Sequence, residues 1–335
     1  MISNRFRNDK KPVLKLNKIQ LKAKQEVEEK VSNKQYVFEN CFCPICNSTE
    51  SELISEKDRY GLEYRVVICK DCGLVYTNPR MTQESYNKFY DTEYRRLYIG
   101  TETATEDFFR KQYTHGKQIF NFIKSTFTDK KFANLNVLEV GCGAGGILQY
   151  FKEQGCNVLG VDLGNEYLEF GRVNYGLNLK HGTINEASNF KPDIVIYSHV
   201  IEHILDLNYE LLLLKKLCPN NAIFYIEVPG LKNIDRNYKM DVLRYLQNAH
   251  TYHFSLLSLT NLFGKFGFSL KKGTNAVQSI FLFSQNENYK IINEYPEIYK
   301  YLKKMDQRRF LYHLNSNYKL IKKISTKIFA KKIYK

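Results

Sequence analysis

The stretch "NVLEVGCGAGG", residues 136–146, constrains the chain more than any other. Three apolar residues in five read as a buried strand, and four glycines in the next six positions read as a tight turn opening a helix. Glycine reaches backbone conformations closed to other residues and leaves room for a ligand against the main chain. The pattern then repeats as strand and helix. "GILQYFKEQG" reads as a helix, "NVLGVD" as a strand, "EYLEFGRVNYG" as a helix and "PDIVIYS" as a strand. "LNYELLLLKKLC" reads as a helix and "NAIFYIEVPG" as a strand. "LSLTNLFGKFG" is a further helix, before two last strands in "FSLKKGT" and "SIFLFSQ". Such alternation predicts an α/β fold, a parallel sheet covered by helices on both faces.

In that fold the glycine turn lies beyond the carboxyl ends of the strands, where ligands bind. Gly141, Gly143 and Gly146 fit G-x-G-x-x-G, a weak signal alone, and the bland reading is a tight turn made for packing. Asp162, followed by Leu163, ends the second strand 16 residues past Gly146. A carboxylate there can accept both hydroxyls of a ribose, which NAD and S-adenosylmethionine share. Glu139 favours the second. A dinucleotide would bring an anionic pyrophosphate towards this acid, whereas S-adenosylmethionine brings an ammonium and a sulfonium.

Here the sequence resembles the class I S-adenosylmethionine-dependent methyltransferases. Their first motif, an acid followed by G-x-G-x-G, is matched by Glu139, Gly141, Gly143 and Gly145, and their second-strand acid by Asp162. "SHVIEHILD", Ser198–Asp206, resembles their h-v-l-E-H-x-x-D segment after the fourth strand. The resemblance covers roughly residues 136–284. It implies a seven-stranded Rossmann-like sheet whose last strand pair is antiparallel, with Tyr197, Ser198 and His199 beside the cofactor.

Four cysteines precede this region. "CPIC" and "CKDCG" set Cys43, Cys46, Cys69 and Cys72 as two C-x2-C pairs 22 residues apart. Two such pairs can wrap a tetrahedral ion, and four thiolates favour zinc in a closed, structural site. A redox pair is the lesser reading, and Cys41 is a nearby rival ligand. Gly73 permits the turn that aims amides at sulfur. Cys142, Cys156 and Cys218 read as small apolar core residues. A zinc-ribbon-like module, then "CGLVYTNPR", then "FYDTEY", then the methyltransferase motifs, resembles enzymes of surface-polysaccharide and deoxysugar pathways, some of them nucleotide-sugar C-methyltransferases. That subgroup carries Y-x-E-H before "xYFS"; this chain has Gln247-Asn248-Ala249-His250 before "TYHFS". His is kept while Tyr and Glu are replaced, which favours a hydroxyl over a carbon acceptor.

Methyl transfer to oxygen requires loss of the hydroxyl proton, and histidine suits that near neutral pH. The candidates are His199, His203, His250 and His253, with His250 preferred as base and His203 second; for each, a satisfied structural histidine is the competing reading. Tyr90 and Tyr94, four apart on an expected helix, either cover the cofactor or pack in the core.

The net charge of +15 is uneven. Residues 1–39 carry a net +5 and residues 302–335 a net +10, while 40–301 are balanced. The basic tails suit an anionic membrane or nucleic acid, the latter less because the cleft itself is not basic. "YKLIKKISTKIFAKKIYK", Tyr318–Lys335, has seven lysines and an imperfect apolar arc, the pattern of an interfacial helix. With no apolar run long enough to span a bilayer and no apolar leader, the expected place is the cytosol, with the tail at the inner membrane face.

The expected organisation is a basic extension (1–39), a zinc module (40–80), a helical connector or lid (81–130), the methyltransferase domain (131–285) and a basic helical tail (286–335). The expected function is S-adenosylmethionine-dependent methylation of a sugar or glycan hydroxyl in surface-polysaccharide biosynthesis, with a sugar nucleotide or glycan as partner. The alternatives are a nucleotide-sugar C-methyltransferase, an RNA methyltransferase and an NAD-dependent oxidoreductase.

Overall fold

The computed structural model describes residues 1–98, 105–284 and 289–312. The expected tail helix, Tyr318–Lys335, lies outside the described residues.

Seven strands form the large sheet in the spatial order Phe268–Gly273, Gln278–Phe283, Ile223–Glu227, Ile194–Ser198, Asn136–Val140, Asn157–Asp162 and Leu179–His181. The five from Ile223–Glu227 to Leu179–His181 run parallel, and Gln278–Phe283 runs antiparallel to both its neighbours. This is the seven-stranded sheet with its antiparallel last pair that the sequence leads one to expect. Strand order reverses between Asn136–Val140 and Ile194–Ser198. Their carboxyl ends diverge there, opening the crevice where such sheets bind ligands.

Helix Glu106–Lys124 leads into the sheet. It buries Phe109, Ile119, Phe120 and Ile123, and crosses Gly146–Glu153 so closely that a Cβ on Gly116 would come 2.8 Å from the Ile147 backbone. Burying apolar side chains of this size stabilises by about 1.5–3 kcal/mol each.

The N-terminal part is packed against the rest. Phe6 is fully buried with Ile54, Tyr64, Val66, Ile298, Leu302 and Met305, so the chain start and the helix over 295–312 share one cluster. A helix runs Lys18–Ser32 behind an Asn17–Gln20 capping box. Its Ala23 and Val27 lie with Tyr60, Leu62, Phe89, Leu97 and Ala249.

A second sheet has the order Tyr252–His253, Val75–Thr77, Glu63–Cys69 and Ser51–Lys57. Its first strand comes from the segment between Ile223–Glu227 and the antiparallel strand pair, and the other three from the cysteine region, with Tyr252 opposite Tyr76 and His253 opposite Val75. A backbone ladder to the cysteine region thus begins just after His250. Among the described residues no helix is long and apolar enough to cross a membrane.

Candidate functional site

The glycine turn follows strand Asn136–Val140. Gly141, Gly143 and Gly145 have φ of 73°, 55° and 78°, the left-handed region that favours glycine. A Cβ on Gly141 would come 2.3 Å from a Val200 methyl, so the turn after the fourth strand rests directly on this one. Gln112 reaches in from helix Glu106–Lys124. Its amide donates to the Cys142 carbonyl at 3.1 Å and its oxygen accepts from the Gly146 N–H at 3.3 Å.

Asp162 faces the turn. It accepts the Gly143 N–H at 2.8 Å and the Gly164 N–H at 2.7 Å, one on each carboxylate oxygen. A carboxylate has about four lone-pair sites, so each oxygen keeps one for a ribose hydroxyl. The Arg95 guanidinium lies over the Tyr167 ring, 3.9 Å from its centroid, and 3.9 Å from Asp162. Leu163 beside it is exposed.

Glu139 is 1 % exposed, and its Oε2 has no hydrogen-bond partner. Burial, and then the charge of Asp162, push its carboxyl well above the usual range. A buried carboxyl without a partner is costly. The sulfonium and ammonium of S-adenosylmethionine are the kind of charge that would compensate it, so glycine cradle, Asp162 and Glu139 together fit that cofactor. Its transferable methyl would supply the chemistry, and the chain supplies the seat.

Of the three residues expected beside the cofactor after the fourth strand, Ser198 and His199 lie at the crevice. Tyr197 points away: it is fully buried and its hydroxyl donates to Glu210 on helix Leu207–Leu217. Alternation along a strand sends neighbouring side chains to opposite faces. A group missed from sequence sits at the crevice instead. His115 Nε2 lies 2.8 Å from Glu227 and 3.3 Å from the Ser198 hydroxyl, and Tyr225 donates to Glu227 at 2.8 Å. The bond to Glu227 raises the His115 pKa above its ordinary value. Only the burial of one face of helix Glu106–Lys124 could have pointed to it.

His199 adopts φ 58°, and the turn that follows gathers four groups. Glu202 is 1 % exposed with neither oxygen hydrogen-bonded. Its Oε1 lies 3.7 Å from His199 Nδ1, 3.8 Å from His203 Nε2 and 3.9 Å from His250 Nε2. His203 Nδ1 donates to the Ala249 carbonyl at 2.8 Å, and Tyr90 OH lies 2.6 Å from the same nitrogen. Tyr90 and Tyr94 stack at 4.2 Å on a π-helical turn, Tyr90–Tyr94, with their rings edge-on to His203. The tyrosines therefore wall the histidine cluster. Gln247 donates to His250 Nε2, while its oxygen accepts from Arg59. Burial, and then the neighbouring histidines, hold His250 well below 6.5, which leaves it neutral but weakly basic. Tyr64 donates to the His250 carbonyl, and Thr77 N–H donates to the Thr251 carbonyl at 2.9 Å, so the cysteine module fixes where His250 stands. His253 is enclosed against Tyr64 and Tyr245, and its pKa is lowered to about 3 by burial.

The sulfurs of Cys43, Cys46, Cys69 and Cys72 all lie within 4.8 Å of one another, with Cys43–Cys72 and Cys46–Cys69 at 3.4 Å. Zn–S bonds of about 2.3 Å imply sulfurs about 3.8 Å apart, so donor set and spread fit a tetrahedral ion. Backbone amides of Ser48, Asp71 and Leu74 serve the sulfurs of Cys46, Cys69 and Cys72. Gly73 has φ 82°, as its place after the second pair demands. Cys41 turns to the Thr77 carbonyl, 3.8 Å away, and stands outside the group. Cys142, Cys156 and Cys218 are buried among apolar neighbours.

Residues 109–272 match the family model described as "Methyltransferase domain". A ubiquinone biosynthesis O-methyltransferase of Rickettsia prowazekii is 33% identical over 145 residues, 40% of this chain and 57% of that protein. One from Bartonella tribocorum is 26% identical over 108 residues, 30% of this chain and 43% of that protein. The chain spans about half the length of the curated relatives it matches. Among solved structures, a SAM-dependent methyltransferase from Archaeoglobus fulgidus is 19% identical, with a TM-score of 0.39 over 53% of this chain and 74% of that one. Magnesium protoporphyrin IX methyltransferase from Synechocystis PCC 6803, with bound SAH, is 16% identical, with a TM-score of 0.40 over 59% of this chain and 95% of that one.

Proposed function

We propose that residues 109–272, which match the methyltransferase family model, form a class I S-adenosylmethionine-dependent methyltransferase domain, and that the whole protein transfers a methyl group to a hydroxyl of a sugar nucleotide or glycan in surface-polysaccharide assembly. The observation that carries the cofactor half of this reading is Glu139, buried with its Oε2 unpartnered two residues before the first of three left-handed glycines. S-adenosylmethionine held there would supply an electrophilic methyl group, and the pocket's side chains would orient the acceptor hydroxyl and take up its proton. His203 and His250, walled by Tyr90 and Tyr94, are the groups that meet the acceptor. An oxygen acceptor is supported by replacement of the Y-x-E-H tyrosine and glutamate by Gln247 and Ala249, and by relatives named as O-methyltransferases. The sugar class rests on the resemblance of the cysteine module and its following motifs to sugar-pathway enzymes.

Zinc, in this reading, sits among the four thiolates and holds the N-terminal module in shape. The lysine-rich tail rests on an anionic membrane, where each lysine adds about 1 kcal/mol at most. Cosedimentation with anionic vesicles, compared between the full chain and one ending at Ser316, tests the tail: equal binding by both removes it.

The activity is tested by following S-adenosylhomocysteine release with panels of nucleotide sugars, glycans and phenolic hydroxyl compounds. Turnover on the sugar panel alone is expected. Turnover only on phenols would replace the acceptor class, and no turnover beside normal cofactor binding would leave a binding protein.

A further inference from the structure

We propose that Glu202, His203 and His250 form a divalent-cation site at the acceptor pocket, separate from the four cysteines. Three ligand atoms, one from each residue, lie within 4.8 Å of one another. A cation about 2.0–2.2 Å from each of its ligands spans atoms up to about 4.2 Å apart. The 3.8 and 3.9 Å from Glu202 Oε1 to the two imidazole nitrogens already fall inside that limit.

Two further observations point to an ion. The Glu202 carboxylate is enclosed, yet neither oxygen accepts a hydrogen bond. Buried charges are normally paired or coordinate metals. His203 is also set as a ligand is set. Its Nδ1–H donates to the Ala249 carbonyl, which leaves the Nε2 lone pair facing Glu202. A ligating histidine nearly always donates its other ring N–H in this way. At His250 the Gln247 amide, held by Arg59, donates to Nε2, so that nitrogen too carries a lone pair. The amide gives way as the ion enters.

Two imidazoles and one carboxylate suit zinc, iron, cobalt or manganese. Three protein ligands leave positions open, unlike the closed set of four thiolates, and an acceptor oxygen can occupy one; with the ion bound both imidazole nitrogens are taken, and the acidified acceptor hydroxyl gives its proton to water instead of to His203 or His250. The site stands on its own geometry; its use for the acceptor rests on the methyl-transfer reading.

The test uses the full chain with zinc already in the cysteine site. Cobalt(II) added to it should bind at one further equivalent per chain and give visible absorption without thiolate charge-transfer bands. Glu202→Gln should abolish that uptake. His203→Gln should weaken it roughly 10-fold or more, and decides the matter should the first variant fail to fold by circular dichroism. S-adenosylmethionine affinity, measured on the same samples, should stay unchanged. No cobalt uptake by the wild-type chain, or equal uptake by folded variants, overturns the cation site. Absent S-adenosylmethionine binding beside normal cobalt uptake overturns the methyl-transfer reading instead.

Discussion

The two sides of the crevice are built differently. The cofactor side is local: Glu139, the glycines and Asp162 come from two neighbouring strands within 24 residues, and the same backbone that forms the sheet forms the seat. The acceptor side is assembled from afar. Tyr90 comes from the helical connector, Glu202 and His203 from the turn after the fourth strand, and His250 from a segment whose Tyr252 pairs with Tyr76 of the cysteine module, 176 residues earlier. The lesson is one of separable control. A change on the cofactor side should alter S-adenosylmethionine binding, and one on the acceptor side should alter turnover alone.

The sharpest break is expected at Gly141. Alanine there combines a left-handed backbone with a contact onto Val200, a loss of about 2–4 kcal/mol from strain and overpacking together. Thermal melting and calorimetric titration should show a destabilised domain with little cofactor affinity; normal values for both would mean that the turn is not seated as described. On the other side, His250→Ala should lower turnover about 10²-fold with cofactor affinity intact. A joint fall of both would erase the distinction between the two sides.

Asp162→Ala should weaken S-adenosylmethionine binding by about 1.5–3 kcal/mol through loss of charged hydrogen bonds, with turnover at saturating cofactor nearly kept. Unchanged affinity would show that the ribose sits elsewhere. The smallest effect concerns His115. Its bond to Glu227 raises its folded pKa above 6.5, so its stabilisation is full below pH 6.5 and is lost as pH rises through the folded value. His115→Gln should flatten that part of the melting-temperature profile, and identical profiles would mean that the pair is not formed.

This asymmetry also explains what was legible in the sequence. The glycine turn, its acid, Asp162 and the sheet were readable because each depends on residues close along the chain and on periodicity. The two cysteine pairs were readable from spacing. The joint sheet of Tyr252–His253 with Val75–Thr77 was not, since a two-residue strand carries no periodic signal. Glu202 stands in the sequence only as the acid of the "SHVIEHILD" segment. That it gathers three histidines follows from the left-handed turn at His199 and from the module behind His250, both tertiary features. His115 escaped because a polar residue on an amphipathic helix looks solvated until its partner strand is known. Tyr197 was placed beside the cofactor from motif position, but strand alternation turns it into the helix layer.

The central claim, that the cysteine module builds the acceptor side and leaves the cofactor side alone, is tested most directly by Cys69→Ser, or by stripping the metal proposed at the four thiolates, and measuring S-adenosylmethionine affinity and methyl transfer on one sample. Affinity within about twofold of the intact chain, with transfer lost, is the expected result. Loss of cofactor binding in step with transfer, or transfer that survives, would contradict it.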